Sequence, residues 1–313
     1  MRSVFASISP IWYAVVLLYI VASIWSPAMF STGHMLNMMQ VAALLGVVAT
    51  GQVLALLVGG IDLSVGGVVT LTNILATSIM LGQDASIPMA IAVCLLLGAG
   101  IGAVNGFLVA VLKIAPLIAT LAMNSILFGA ALVYTGGATK GSAAPAFKVI
   151  GQEDLLGIPM SALAWICTAV MVAFMLRRTR FGRWIYAVGA NPQAARLMGV
   201  PVTLTLIGAY MLCSVLAVLG GLLITSYIGN PSLGIGEQFL LNSVAAVVVG
   251  GAALTGGVGS AIATIGGALF MTEMVSFTNI ARMSTGTQYI VQGILIALSV
   301  VVYRALEETR RTI

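Results

Sequence analysis

Few residues in this chain could do chemistry, and one of them stands where a charge is expensive. Asp62 lies in Leu57-Val58-Gly59-Gly60-Ile61-Asp62-Leu63-Ser64-Val65-Gly66-Gly67, a glycine-rich break between two long apolar stretches. In a bilayer, non-helical backbone at depth is tolerated only where protein buries it or water reaches it. A carboxylate there is a functional candidate by default. Two readings of it stand side by side. Either Asp62 or Ser64 caps a helix that begins near Val65, or the carboxylate lines a polar pathway and hydrogen-bonds a solute. The flanking glycines suit a tight turn or a hinge.

Enzymatic chemistry finds little support elsewhere. Gly136-Gly137-Ala138-Thr139-Lys140-Gly141-Ser142 carries the letters of a phosphate-binding loop in the wrong order, so the chain is not expected to hydrolyse ATP itself. There is no H-E-x-x-H motif, and the lone His34 cannot make a paired metal site. No G-x-S-x-G sits at a strand-to-helix turn. Cys94, Cys167 and Cys213 fall inside apolar segments without metal-ligand spacing and read as small buried hydrophobes. No catalytic residue, metal or cofactor is assigned to the chain.

The elements that must position Asp62 are membrane helices. Of 313 residues, 60% are hydrophobic and 7% charged, against about 25% charged in a soluble domain. The expected fold is all-α, a polytopic membrane protein of about ten spans in one domain, 1–313. A span takes about 20 apolar residues. The spans expected are Ile11–Trp25, Leu36–Val58, Val65–Leu81, Pro88–Leu112, Ala115–Tyr134, Met160–Leu176, Leu204–Tyr227, Phe239–Leu254, Ala261–Phe277 and Tyr289–Val302. The first is read as a retained helix rather than a cleaved leader. Trp12, Trp25 and Tyr134 read as interface anchors. Asn73, Asn105, Asn124 and Asn242, within spans, are expected to bond between helices at roughly 0.6 kcal/mol each.

Lysine and arginine placement orients the spans. With the N-terminus inside, Arg2, Lys113, Arg177, Arg178, Arg180, Arg183, Arg196, Arg304, Arg310 and Arg311 lie on the inner side, and Lys140, Lys148 and Arg282 outside, ten of the 13 basic residues against three. The expected topology is N-in/C-in. The net charge of +5 is thus an orientation signal and not a nucleic-acid patch. The outer loop 136–159 is polar. In the inner loop 176–203, Asn191-Pro192 reads as a helix start and Gly199 as its close. Arginines alone would serve as headgroup anchors; a capped surface helix suggests a docking surface for another protein.

Several strings together resemble the permeases of ABC importers for monosaccharides, the ribose, xylose and galactose permease family. They are Gly59-Gly60-Ile61-Asp62-Leu63-Ser64-Val65-Gly66, Gly102-Ala103-Val104-Asn105-Gly106, Leu112 to Leu121, Tyr134 to Gly137, Thr179 to Arg183, Ala187 to Val200, Val248 to Gly251 and Gly256 to Gly259. The resemblance implies a type II-like ABC importer permease of the bacterial inner (cytoplasmic) membrane, paired with a second permease subunit. A cytoplasmic ABC ATPase would use the ATP and Mg, and a periplasmic solute-binding protein would deliver the solute. It implies a coupling surface of Arg183, Gly189, Asn191, Ala194, Ala195, Arg196 and Gly199. Gly59, Gly60, Asp62, Ser64, Gly66, Asn105, Pro116 and Glu273 are the candidates for pathway and gate.

The chain departs from the family pattern in two places. Asn242 stands where an aspartate is usual after Glu237, and Met271-Thr272-Glu273-Met274-Val275-Ser276 replaces an asparagine-rich end. Glu273 either meets entering solute or pairs with Arg282. Pentose, hexose, sugar acid and polyol all fit as solutes. A nucleoside or branched-chain amino acid permease of a related family is the nearer alternative. An ion-coupled secondary transporter with Asp62 as its proton or sodium site is the alternative from another class.

Overall fold

A computed structural model describes residues 9–294 and residue 297. Twelve helices run in order as α1 (Pro10–Trp25), α2 (Thr32–Leu57), α3 (Val65–Met80), α4 (Ile87–Ala110), α5 (Pro116–Thr135), α6 (Pro145–Gln152), α7 (Met160–Arg178), α8 (Arg180–Ala190), α9 (Pro192–Leu197), α10 (Val202–Ile228), α11 (Glu237–Val249) and α12 (Ala261–Ile280). A further helical stretch, α13, covers 285–294. Of the tenth expected span only 289–294 and residue 297 fall within the described residues. Arg2, Arg304, Arg310 and Arg311 lie outside them.

Among the described residues six helices are long and apolar enough to cross a membrane: α2, α4, α5, α7, α10 and α12. Others fall short. At 16 and 13 residues, α3 and α11 rise about 24 and 20 Å, less than a hydrocarbon core of about 30 Å. The eighth expected span, Phe239–Leu254, is therefore corrected: α11 stops at Val249, and Gly251 turns the chain at φ +96°. The 136–159 stretch, expected as an outer loop, is more ordered than a plain loop. It holds α6 and a two-residue hairpin, Asp154–Leu155 against Ile158–Pro159.

The central helix is α2, packed by α10, α12, α7 and α11, with α10 also against α3, α4 and α6. Lipid tails are as apolar as leucine, so helices associate in a membrane through close packing of small residues. This chain supplies them at helical spacing. Trp165 of α7 lies over Gly46 of α2, and the Cys213 carbonyl of α10 approaches Gly51. On α4, Gly98, Gly102 and Gly106 form one stripe against α10. A Cβ on Gly102 would stand 2.5 Å from Tyr210 O, and one on Gly106 2.5 Å from the Ile207 Cα. In contrast, α5 packs chiefly on α3 and α4, and the described residues leave most of its surface uncovered.

Why α11 is so short follows from the segment before it. Residues 229–236 descend along one face of α3 instead of staying at the surface. Asn73 donates to Asn230 O (3.2 Å) and accepts from Ser232 N (2.8 Å), and Thr70 Oγ1 accepts from Gly236 N (3.0 Å). From Asn73 down to Gly66 is seven residues, about 10 Å of helix. A Cβ on Gly236 would collide with Gly66 O. The chain thus enters the bundle as non-helical backbone that ends in a turn at 233–236, and α11 begins well inside it.

The α4–α10 crossing yields the first expected outcome. Gly102→Val should destabilise the detergent-solubilised protein by about 1–3 kcal/mol through overpacking. Gly100→Val, which meets open space, should leave the apparent Tm unchanged. Equal melting of the two variants would contradict this packing.

Candidate functional site

The break after α2 is built from backbone geometry. Gly59 takes φ +81°, a left-handed conformation natural to glycine. Gly59 N then donates to Leu56 O and Gly60 N to Ala55 O, each at 2.9 Å. The chain runs back along α2. With its amide nitrogen towards the Asp62 carbonyl, the orientation that satisfies both groups, Gln52 bonds Asp62 O at 3.0 Å and Asp62 N at 3.1 Å. Gln52 lies five residues above Leu57, so Asp62 stands about 7 Å up from the end of α2.

The Asp62 side chain is fully buried. Its Oδ1 accepts from Ser64 N at 2.9 Å and from Ser64 Oγ at 2.6 Å, and Ser64 Oγ accepts from Asn105 Nδ2 of α4 at 2.8 Å. Tyr210, Cys213 and Ser214 of α10 adjoin it. A Cβ on Gly60 would meet the Tyr210 hydroxyl. Asp62 therefore ties the break to α2, α4 and α10 and holds the first turn of α3. Asp62 Oδ2, Asn105 Oδ1, Tyr210 Oη and Ser214 Oγ have no partner among the described residues. Pro116 opens α5 beside Gly60, and Thr120 Oγ1 donates to Ile61 O at 3.2 Å.

A half-open cavity of about 220 Å³ lies on the other side of the α3 N-terminus, lined by Gly66, Gly67, Thr70, Asn124, Ser125, Phe128 and Glu237. Asn124 Oδ1 accepts from Gly67 N at 2.7 Å, one of the free N–H groups every helix start presents. Of the pathway residues expected from sequence, Gly66 alone lines this cavity. Gly59, Gly60, Asp62, Ser64 and Asn105 gather behind it. Glu273 is elsewhere, on α12 beside Tyr19 of α1, 5% exposed, with Oε1 unpartnered. No ion pair of Glu273 with Arg282 forms among the described residues. Phe128, Ser125 and Thr70 escaped the sequence reading because their types are unremarkable in a span; only the fold points them at one space.

The segment between α7 and α10, expected as an inner loop, folds into α8 and α9. Asn191 Oδ1 accepts from Gln193 N and Ala194 N, both at 3.0 Å, with Pro192 at the first helical position. Gly199 turns the chain at φ +80°. Arg183, Asn191, Arg196 and Gly199 are exposed, Ala194 and Gly189 half-buried. Ala195 is fully buried against Val188 and Val202 in a small core of its own, so it supports the tip rather than facing outward. The tip itself is apolar: Leu197 is 91% and Met198 71% exposed. Their signal in sequence was two large apolar residues just before a closing glycine on a basic loop.

The Asp62 geometry predicts a graded response. Asp62→Asn keeps an acceptor for Ser64 and should stay folded. Asp62→Ala leaves Ser64 N and Oγ unpaired, at a cost of about 1–3 kcal/mol. Thermal unfolding of the two variants in detergent checks the order.

Comparison with known proteins places this geometry in a family. The family described as branched-chain amino acid transport system / permease component matches residues 34–300. The chain is 36% identical over 301 residues to the probable ABC transporter permease protein y4mJ of Sinorhizobium fredii, covering 95% of this chain and 89% of that one. It is 37% identical over 295 residues to the ribose import permease protein RbsC of Escherichia coli K12, covering 92% and 91%. With the L-arabinose transport system permease protein AraH of Escherichia coli K12 it shares 32% over 300 residues, covering 95% and 90%. No solved structure matches the chain. The chain belongs to the branched-chain amino acid transport system / permease component family, as a multi-pass membrane permease.

Proposed function

We propose that this chain is the membrane-spanning permease subunit of an ATP-driven importer for a monosaccharide or similar small polyol. The observation that carries the reading is the similarity, over more than nine-tenths of the chain, to permeases named for two different pentoses. The family description names amino acids; the two named relatives favour sugars. Both termini on the cytoplasmic side of the bacterial inner membrane is the orientation that the lysine and arginine distribution supports.

In this reading the α8–α9 tip docks a cytoplasmic ATPase. Leu197 and Met198 would enter a groove on that partner, with Arg196 and Arg183 at the rim. The uncovered face of α5 would meet a second permease subunit, closing the half-open cavity into a passage. Its lining suits a neutral, hydroxyl-rich solute. Glu237 and the Ser125 hydroxyl accept or exchange hydrogen bonds, Phe128 offers an aromatic face, and Gly66 and Gly67 let a solute approach backbone. A solute-binding protein would load it from outside.

The test is affinity purification of the tagged chain from gently solubilised membranes, with calorimetric screening of the associated binding protein against ribose, arabinose, xylose and galactose. An ATPase at near-equal amount and a sugar-binding partner are expected. A chain that came down alone, and moved sugar in liposomes under an ion gradient, would overturn the reading. Leu197→Asp should cut ATPase recovery about tenfold, the scale of a hot-spot contact. Phe128→Ala with Glu237→Ala should leave recovery intact and lower the maximal uptake rate.

A further inference from the structure

The glycine-rich break after α2 and a late one between α11 and α12, Thr255-Gly256-Gly257-Val258-Gly259-Ser260, are far apart in sequence and meet in space, with the end of α8 wedged between them. Gly257 N donates to Leu57 O at 2.9 Å, joining the late break directly to the last turn of α2. Gly189 sits on the same carbonyl: a Cβ there would overlap Leu57 O and stand 2.5 Å from Gly257 N. On Gly256 a Cβ would be 2.7 Å from Gly59 N and 3.0 Å from Gly189 O; on Gly257, 3.0 Å from the Ala190 Cα. One turn earlier on α8, Tyr186 Oη donates to Gly259 O at 2.9 Å. Three backbones therefore touch with no side chain between them.

From this contact we infer that Gly189 and Tyr186 are positioning residues for transport. They belong to a three-way backbone joint, not to the surface that a partner grips. The partner-facing tip, at Leu197 and Met198, is the far end of α9, and α9 runs from that tip back to the end of α8 at the joint. A displacement of α8 has to move Leu57 O and Gly257 N together or break their bond. Leu57 leads through Gly59–Asp62 to the start of α3, and so to Gly66 and Gly67 in the cavity wall. Gly257 follows α11, which carries Glu237 at its opposite end. One motion at the joint thus reaches both walls of the cavity, through elements that are each rigid. Packed contacts of this kind tend to switch between discrete arrangements instead of deforming continuously.

The inference rests on the permease reading, and the experiment separates the two. Wild type, Gly189→Ala and Tyr186→Phe are expressed as full chains with their transport partners. ATPase recovery, uptake of the sugar that the binding protein takes, and ATP hydrolysed per sugar are measured together. Absence of an ATPase from the wild-type preparation defeats the permease reading, and this inference with it. Given its presence, Gly189→Ala should recover the ATPase in full yet lower uptake about tenfold, a coupling loss of ordinary size. Tyr186→Phe removes one hydroxyl and should raise ATP used per sugar about fivefold, the worth of one hydrogen bond. Should Gly189→Ala fail to reach the membrane, Tyr186→Phe decides alone. A wild-type ATP-to-sugar ratio in Tyr186→Phe overturns the inference, as does loss of the ATPase from Gly189→Ala, which would make Gly189 a docking residue.

Discussion

Backbone N–H and C=O groups that leave helical pairing inside an apolar slab have to find partners within the protein. That constraint explains more of this molecule than any single side chain. The last turn of α2 leaves Leu57 O unpaired by its own helix, and the late break supplies Gly257 N for it. The re-entrant 229–236 segment leaves its amides free, and Asn73 and Thr70 of α3 accept them. The start of α3 is met by Asp62 from its own chain and Asn124 from α5. Each interruption is answered by a specific residue on another element, so the interrupted helices are bound to one another.

Asp62 takes its meaning from this network. Alone, a carboxylate buried in an apolar bundle would be a large cost. Here Oδ1 takes two bonds from Ser64, and Gln52 occupies the backbone groups of Asp62 itself. The arrangement replaces a helical turn by a short extended run laid back along α2. It sets α3 higher in the bundle than a continuous helix would, and the cavity opens where α3 starts. Ser64 makes no side-chain cap bond to α3, so the expected helix cap is replaced by a turn in which Asp62 holds Ser64, and that turn places the helix whose first residues line the cavity.

The small residues do a complementary job. Gly46, Gly51, Gly102 and Gly106 let neighbouring helices approach to backbone contact around α2 and α10. At the joint of Gly59, Gly189, Gly256 and Gly257 the same property brings loops and a helix end together. Close contact of main chains leaves no flexible side chain to absorb a displacement. The apolar tip at the end of α9 is therefore mechanically continuous with the interior through the end of α8, while much of α5 is left uncovered by the described residues.

Much of this was legible in the sequence. Composition and run lengths were enough for an all-α membrane protein, because a bilayer forces apolar helices of nearly constant length. Asn191, Pro192 and Gly199 announced their helix because capping is a local matter of a few backbone angles. The break at Gly59–Ser64 was readable from glycines and a charge set between two apolar runs. Tertiary structure alone decided the rest. It showed that Asp62 faces Ser64, Asn105 and α10, that Glu273 stands apart beside α1, and that Ala195 points inward while Leu197 points out. It turned the loop at 229–236 into a re-entrant segment, which shortened α11. It joined Leu57, Gly189 and Gly257, residues with nothing in common along the chain. Local signals report the conformation of a segment; which unpaired backbone groups answer one another depends on how the helices stack, and that is a property of the whole bundle.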